Sequence, residues 1–335
     1  MMRRGERGFI RILLLLVLVL VTGVSVVGYE GYRRLDADGP HTEERVLWVQ
    51  QGDSLGRLGT KLADRGMISE EGEKLFYYYG RATGLGEDLR SGEFVIPAGA
   101  SIKEIAVILR EADPLLRFVT IPEGRTVQQA IAILDEAPML TGSVSAAPKE
   151  GDLLPETYAY ERGESRDVLL GRMVTAHNEL LDNLWPQRTD DLPFDTKEQA
   201  IILASIVEKE TALPEERPRV AAVFVNRLRK RMRLQSDPTI IYGLTGGEPL
   251  RRGIRVSELN DRDNPYNTYK INGLPPTPIA NPGRESIAAV LNPANTDDLY
   301  FVADGTGGHV FASSLDEHNR NVARWRQIER ERRNR

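Results

Sequence analysis

The sequence contains no cysteine. That excludes disulfides, thiolate metal sites, cysteine nucleophiles and a cysteine-linked lipid. Histidine is scarce: His41, His177, His309 and His318 are all there is. They form no HExxH pair, and His309 with His318 lacks a third ligand, so neither a metal nor a cofactor is expected. A GxSxG elbow, a Walker loop and a Rossmann fingerprint are missing as well. Nor is charge of one sign in excess. The 44 basic and 49 acidic residues leave a net charge of -5, which gives no electrostatic ground for binding nucleic acid.

What is present is a chain of 335 residues, 41% hydrophobic and 28% charged, enough for one large or two modest domains. Arg3, Arg4, Arg7 and Arg11 precede an uncharged apolar run from Ile12 to about Tyr29. With Phe9 and Ile10 the run approaches the ~20 residues needed to span a membrane, and Arg11 can snorkel. A cleaved signal peptide is the alternative. Its apolar core would be shorter, ~7–15 residues, and a small-x-small cleavage site is missing. We therefore expect a cytoplasmic tail at residues 1–11, an uncleaved transmembrane helix at 12–29 and a polar linker at 30–44. Basic residues stay on the cytoplasmic side, so the remainder faces the other side of the membrane.

Residues 45–134 repeat one pattern three times: a strand, a glycine turn and a capped helix. The copies run through Val46, Gly52 and Ser54; through Val95, Gly99 and Ser101; and through Val119, Gly124 and Thr126. Each glycine stands two residues before a Ser or Thr suited to cap a helix, and Ser101 with Glu104 makes a capping box. The unequal separations argue against a solenoid. Another helix, Ser69–Arg81 with its cluster Tyr77, Tyr78 and Tyr79, fills the gap between the first two copies.

Leu203, Ile206, Val207 and Glu210 stand at i, i+3, i+4 and i+7, so Glu210 extends the apolar stripe of a helix. Glu208 points about 160° away. A carboxyl on an apolar face either reaches past the helix end to solvent or stays buried and protonated. The second state is a general acid, the group that breaks a glycosidic bond. A second helix follows, with Val220, Val223, Phe224 and Leu228 on its apolar face, and the two are expected to pack as a hairpin. Then comes a polar loop, Arg233–Thr239, ending in Tyr242. Tyr266–Gly283 is a loop dense in Pro, Gly and Asn, where Tyr266, Asn267 and Tyr269 suit sugar recognition or a purely structural turn. Leu299–Ala303 and His309–Ala312 read as a hairpin. Ser314 and Glu317 cap a last helix whose arginines, from Arg320 to Arg335, form a solvated face.

The run ASIVEKET (Ala204–Thr211), followed by VFVNRLRKRMRLQSDPTIIYGL (Val223–Leu244), resembles the signature of the MltG-type, YceG-like endolytic murein transglycosylases. Leu154–Tyr158, Tyr266–Tyr269, Gly273–Pro276, Pro278–Gly283, Tyr300–Ala303, and His309 with Phe311 agree with it and lie in the family's order.

The resemblance implies an α+β protein: a membrane helix, a small LysM-like subdomain at 45–113 and a larger YceG-like catalytic domain at 114–335 built on the helical hairpin. The stretch Val49–Gly66 is similar to a LysM module, which binds N-acetylglucosamine chains; a packing domain without a ligand is the other reading. The implied substrate is the glycan strand of peptidoglycan, cut between N-acetylmuramic acid and N-acetylglucosamine to leave a 1,6-anhydro end. One Glu serves as acid and then base. Glu210, before Thr211-Ala212, matches that position, and Glu208 is the secondary candidate, free to orient a neighbour or pair with Arg227. Gln235, Ser236, Asp237 and Tyr242 are assigned to substrate binding, with Glu156, which stands where the family commonly has Asp. Asp237 as a second catalytic carboxylate would mean hydrolysis instead. A non-catalytic wall-binding scaffold is the rival from another class. Implied partners are wall synthases at the cell membrane, where the enzyme would set nascent strand length.

Overall fold

In the computed structural model, which describes residues 4–333, the N-terminal apolar run is a helix, α1 (Arg4–Leu35), that continues through the first residues of the expected linker. Met1–Arg3 of the expected cytoplasmic tail, and Asn334 and Arg335 of the basic C-terminal stretch, lie outside the described residues. Leu13–Leu35 is long and apolar enough to cross a membrane, with a mean hydropathy of 2.3. The helix does not stop at Tyr29 because its last turns have partners. Leu35 packs against a core, Arg34 bonds Glu71 at 2.7 Å, and Lys103 lies over the Tyr32 ring at 3.6 Å and bonds Asp36. Past the helix, Gly39 N–H donates to Gly99 O, Gly99 N–H donates to His41 O, and His41 Nε2 sits 2.7 Å from Pro97 O. The stretch at 30–44 is thus helix and then a pinned strap, not a free linker.

The chain divides into two compact units, one running to Arg117 together with Glu161–Gly163, the other Phe118–Tyr160 together with Glu164 onward. In the first, β1 (Arg45–Val49) pairs antiparallel with β2 (Gly92–Ile96), Arg45 opposite Ile96 and Val49 opposite Gly92. Helices α2 (Leu55–Asp64), α3 (Glu70–Ala82) and α4 (Ile102–Glu111) enclose Leu47, Leu58, Phe76, Phe94 and Ile105 with this pair. Tyr77 and Tyr79 pack on that core, whereas Tyr78 is exposed.

The second unit begins inside β3 (Arg117–Thr120), at Phe118; this strand pairs with β4 (Thr157–Tyr160), and α5 (Val127–Glu136) follows it. All three strand-turn-helix copies form. Gly52, Gly99 and Gly124 hold φ of 83°, 69° and 72°, values that cost an L side chain energy. Ser54, Ser101 and Thr126 then accept from Arg57, Glu104 and Gln129 N–H to start α2, α4 and α5. Further helices are α6 (Arg166–Leu184), α7 (Lys197–Glu210), α8 (Arg217–Arg229), α9 (Asp237–Thr245), α10 (Val256–Asn260) and α11 (Arg284–Leu291). The antiparallel pair β5 (Tyr300–Ala303) and β6 (His309–Ala312) and then α12 (Leu315–Arg333) complete the unit. The architecture is α+β, mostly helix, with three two-stranded sheets among the described residues.

The centre of the second unit is α7. Thr196 and Gln199 close a capping box at its start, and every residue from Ala200 to Val207 is buried, as expected of a helix apolar all round. Helices α8 and α11 pack against it. Ser205 Oγ accepts from Ile279 N–H at 3.0 Å, and Asn281 Oδ1 accepts from Gly151 and Leu153 N–H. The Pro-rich loop is therefore fastened to the core helix rather than free to move over it.

Candidate active site

The buried helix ends at Glu210, and Thr211 turns extended. Glu210 thus stands where an apolar interior opens onto a cleft of about 470 Å³, lined by Arg227, Gln235, Asp237, Tyr269, Tyr300 and His318 among others. Glu210 keeps some exposure at the cleft, while its carboxyl is crowded by protein. Burial pushes its pKa up to about 7. Asp237 pushes the same way, while the Ser236 hydroxyl, His309 and Arg227 favour the charged form and hold the rise in check. Ser236 Oγ, itself buried, has no partner of normal hydrogen-bond geometry, yet it is close enough to act on that carboxyl. A carboxyl still about half protonated at pH 7 can give a proton to a leaving oxygen and take one back.

Glu208 is not at a solvated helix end. Its side chain is only 6% exposed and lies 3.4 Å from Arg217, with the Gly283 N–H donating to it at 3.0 Å. Of the two roles open to it, pairing with Arg227 does not occur, because Arg227 is committed to backbone carbonyls of Leu299 and Leu234. Arg217 also binds Glu123 at 2.9 Å. A side chain at Gly283 would run into Glu123, so glycine there lets the loop close on this ionic cluster.

The expected polar loop is shorter than the sequence suggests, since α9 starts at Asp237 with Pro238 in its first turn. It is held by Thr268. Ser236 N–H donates to Thr268 Oγ1 at 2.9 Å, Thr239 Oγ1 lies 2.8 Å from the same atom, and Gln235 N–H donates to Thr268 O. Gln235 adopts φ 52°, an uncommon backbone for a non-glycine residue. Tyr269 O–H donates to Asp237 at 2.7 Å. Gln235, Ser236, Asp237 and Tyr269 are thereby gathered beside Glu210.

The other expected binding residues are not there. Tyr242 and Tyr266 meet edge to face at 4.9 Å and pack against the core. Tyr242 O–H donates to Glu150, and Tyr266 O–H bonds Thr277. Asn267 is fully buried, its amide donating to Glu258, Leu259 and Asp261 carbonyls and its Oδ1 accepting from Tyr269 N–H. It shapes the turn that carries Thr268 and Tyr269 and has no group left for a ligand. Glu156 is exposed beside β4 and outside the cleft.

Several cleft residues escaped the sequence reading. Arg227 lines the cleft, and so does His318, whose ring stacks on Tyr300 at 5.0 Å. Outside the cleft lining, Glu216 accepts from His309 N–H at 2.7 Å and lies 2.6 Å from its Nδ1. A signal for Arg227 was available, because Val220, Val223, Phe224 and Arg227 repeat the i, i+3, i+4, i+7 spacing that marks Glu210. The pairing of β5 with α12 carries no such signal. No group of His, Asp and Glu able to hold a metal occurs among the described residues.

The chain is 27% identical to an endolytic murein transglycosylase of Streptococcus pneumoniae, over 91% of this chain and 64% of that protein. It thus spans a little under two thirds of that relative's length. It is 29% identical to an endolytic murein transglycosylase of Bacillus subtilis, over 81% of this chain and 82% of that one. A crystal structure of a putative yceG-like protein from Listeria monocytogenes is similar at 28% identity with a TM-score of 0.50, over 83% of this chain and 98% of that one. The profile of the YceG-like family matches residues 47–324, which takes in both units and all of α7 to β6; the chain belongs to the YceG-like family.

Proposed function

We propose that this protein is an endolytic lytic transglycosylase of peptidoglycan, with Glu210 as its acid and base. One observation carries the reading: a single carboxyl stands at the end of a buried helix, bonded to no cation and opening on a polar cleft, where burial raises its pKa to about 7. The names of the Streptococcus and Bacillus relatives support the same activity. In this reading Glu210 protonates the oxygen between N-acetylmuramic acid and N-acetylglucosamine. The carboxylate left behind then takes the proton of the muramic acid's own 6-hydroxyl, which closes a 1,6-anhydro ring without water. Gln235, Asp237 and Tyr269 bind the sugars.

The reading extends to the rest of the chain. Residues 12–29 anchor the protein in the cell membrane with the N-terminus in the cytoplasm, and a LysM-like part at 45–113 precedes a catalytic domain at 114–335 centred on the hairpin of α7 and α8. Cleavage then occurs close to the membrane and sets the length of nascent strands beside the wall synthases. A hydrolytic muramidase is the second reading, favoured by the presence of Asp237 in the same cleft as Glu210. Mass spectrometry of glycan strands treated with the protein separates the two. Anhydro-muramic ends are the expected outcome, reducing ends mean hydrolysis, and binding without cleavage means a scaffold.

A further inference from the structure

Arg227 is 7% exposed, and its positive charge has no counter-ion. Nε donates to Leu299 O at 2.7 Å and Nη1 to Leu234 O at 2.6 Å, while the guanidinium faces the Tyr300 ring at 5.3 Å. Two neutral carbonyls and an aromatic face orient this cation but do not neutralise it. Among the described residues it forms no ion pair. By contrast Arg217 and Arg219, on the same helix, bind Glu208 and Asp298. A buried, unpaired charge costs stability, and this one lines the cleft that Glu210 opens on.

The surroundings of Glu210 single this cation out. Ser236 and Asp237 face it from the start of α9, Tyr269 from the loop, His309 from β6 and Arg227 from α8. Asp237 is an anion and is bonded by Tyr269. His309 is engaged by Glu216. Arg227 alone of these brings a permanent positive charge with no acidic partner of its own.

We infer that Arg227 is a positioning residue for the reaction, a fixed cation that balances the negative charge Glu210 acquires when it hands its proton to the departing sugar oxygen. The inference rests on Glu210 being the acid and base. During the first step the proton leaves the Glu210 carboxyl for the glycosidic oxygen, and the resulting carboxylate faces Arg227 in the cleft that both residues line. During the second the proton returns from the 6-hydroxyl and the charge disappears. A guanidinium pinned by two carbonyls needs no rearrangement at either step.

The test compares the full-length parent with Arg227→Gln and Arg227→Lys, measuring glycan cleavage across pH and thermal unfolding in parallel. Loss of the cation weakens the bias toward carboxylate. The basic limb of kcat/KM in Arg227→Gln is therefore expected to rise by about half a pH unit, with the maximal rate down ~10-fold or more. Arg227→Lys keeps the charge while losing the double carbonyl grip, and it should hold the limb within a few tenths of a unit of the parent. If Arg227→Gln is folded and its limb stays at the parental pH, the inference is wrong and the residue only braces the fold. Should Arg227→Gln not fold, Arg227→Met, neutral but with a stem of similar packing, takes its place: a raised limb supports the inference and a parental one overturns it. Glu210→Gln separates this failure from a deeper one. If Glu210→Gln is inert while Arg227→Gln keeps the parental profile, only the role of Arg227 falls; full cleavage by Glu210→Gln removes the acid assignment itself.

Discussion

Glu208 and Glu210 stand two residues apart in the last turn of α7, and both are shielded from bulk water. The difference lies in what meets them. Glu208 receives an Arg217 guanidinium and the Gly283 N–H. Glu210 receives no bonded cation, and the exposed Asp237 adds repulsion. Burial alone therefore does not make a general acid. A buried carboxylate paired with arginine is a structural ion pair; a buried carboxyl left without one is held neutral and open to proton transfer.

The most severe way to break this comparison is Glu210→Gln. Cleavage is expected to fall by ~10²–10⁴ or more, the usual worth of a general acid and base, as read by release of glycan fragments. The same variant should unfold no more easily than the parent. The folded pKa of Glu210, about 7, lies above the ordinary glutamate value of 4.5, so between those values the native state holds a proton that the unfolded chain has released. Stability from this residue falls as pH rises through that window, and Gln escapes the loss. A melting temperature at pH 8 equal to or above the parent's fits the comparison, and a collapsed one would mean that Glu210 is structural.

Arg217→Met probes the other side. It leaves Glu208 and Glu123 without their shared cation. Breaking a buried ion pair by removing one partner typically costs ~3–5 kcal/mol, and because Glu123 is half exposed the lower end applies. Denaturant unfolding should register that loss, while the basic limb of the remaining activity stays near the parental pH. A stable Arg217→Met with a shifted limb would show the two carboxyl environments to be one network.

Much of this was legible in the residues. Ser54, Ser101 and Thr126 read as caps because capping is local, and Glu210 read as the end of an apolar stripe because helix periodicity is local too. The partners of Glu208 were not legible for the opposite reason. Its partners are nine and 75 positions away, and periodicity said only that it points elsewhere, not that Arg217 and Gly283 would be waiting there. Tyr242, Tyr266 and Asn267 have the chemistry of sugar binders, yet the fold spends it on Glu150, Thr277 and three carbonyls. Residue type announces what a side chain can bond, and only tertiary structure decides what it does bond. The end of the first helix was hidden in the same way, since α1 is prolonged by Leu35, Arg34 and Tyr32 meeting residues far along the chain.

The finest test uses two small changes of opposite sign. Asp237→Asn removes the like charge beside Glu210 and keeps an oxygen for the Tyr269 hydroxyl. Less repulsion means easier ionisation, so the basic limb of kcat/KM should fall, by roughly half a pH unit given the exposure of Asp237. Ser236→Ala removes a hydroxyl that favours the carboxylate, so the limb should rise, by about half a unit or more. Neither change adds a charge or touches Arg217, so both leave Glu208 as it was. The Asp237 variant also bears on the chemistry. If Asp237 activated water in a hydrolase, its neutral isostere would lose cleavage at every pH rather than shift the profile. A displaced limb with the maximal rate largely kept therefore confines Asp237 to tuning and binding, and leaves Glu210 as the one carboxyl that exchanges a proton with the sugar.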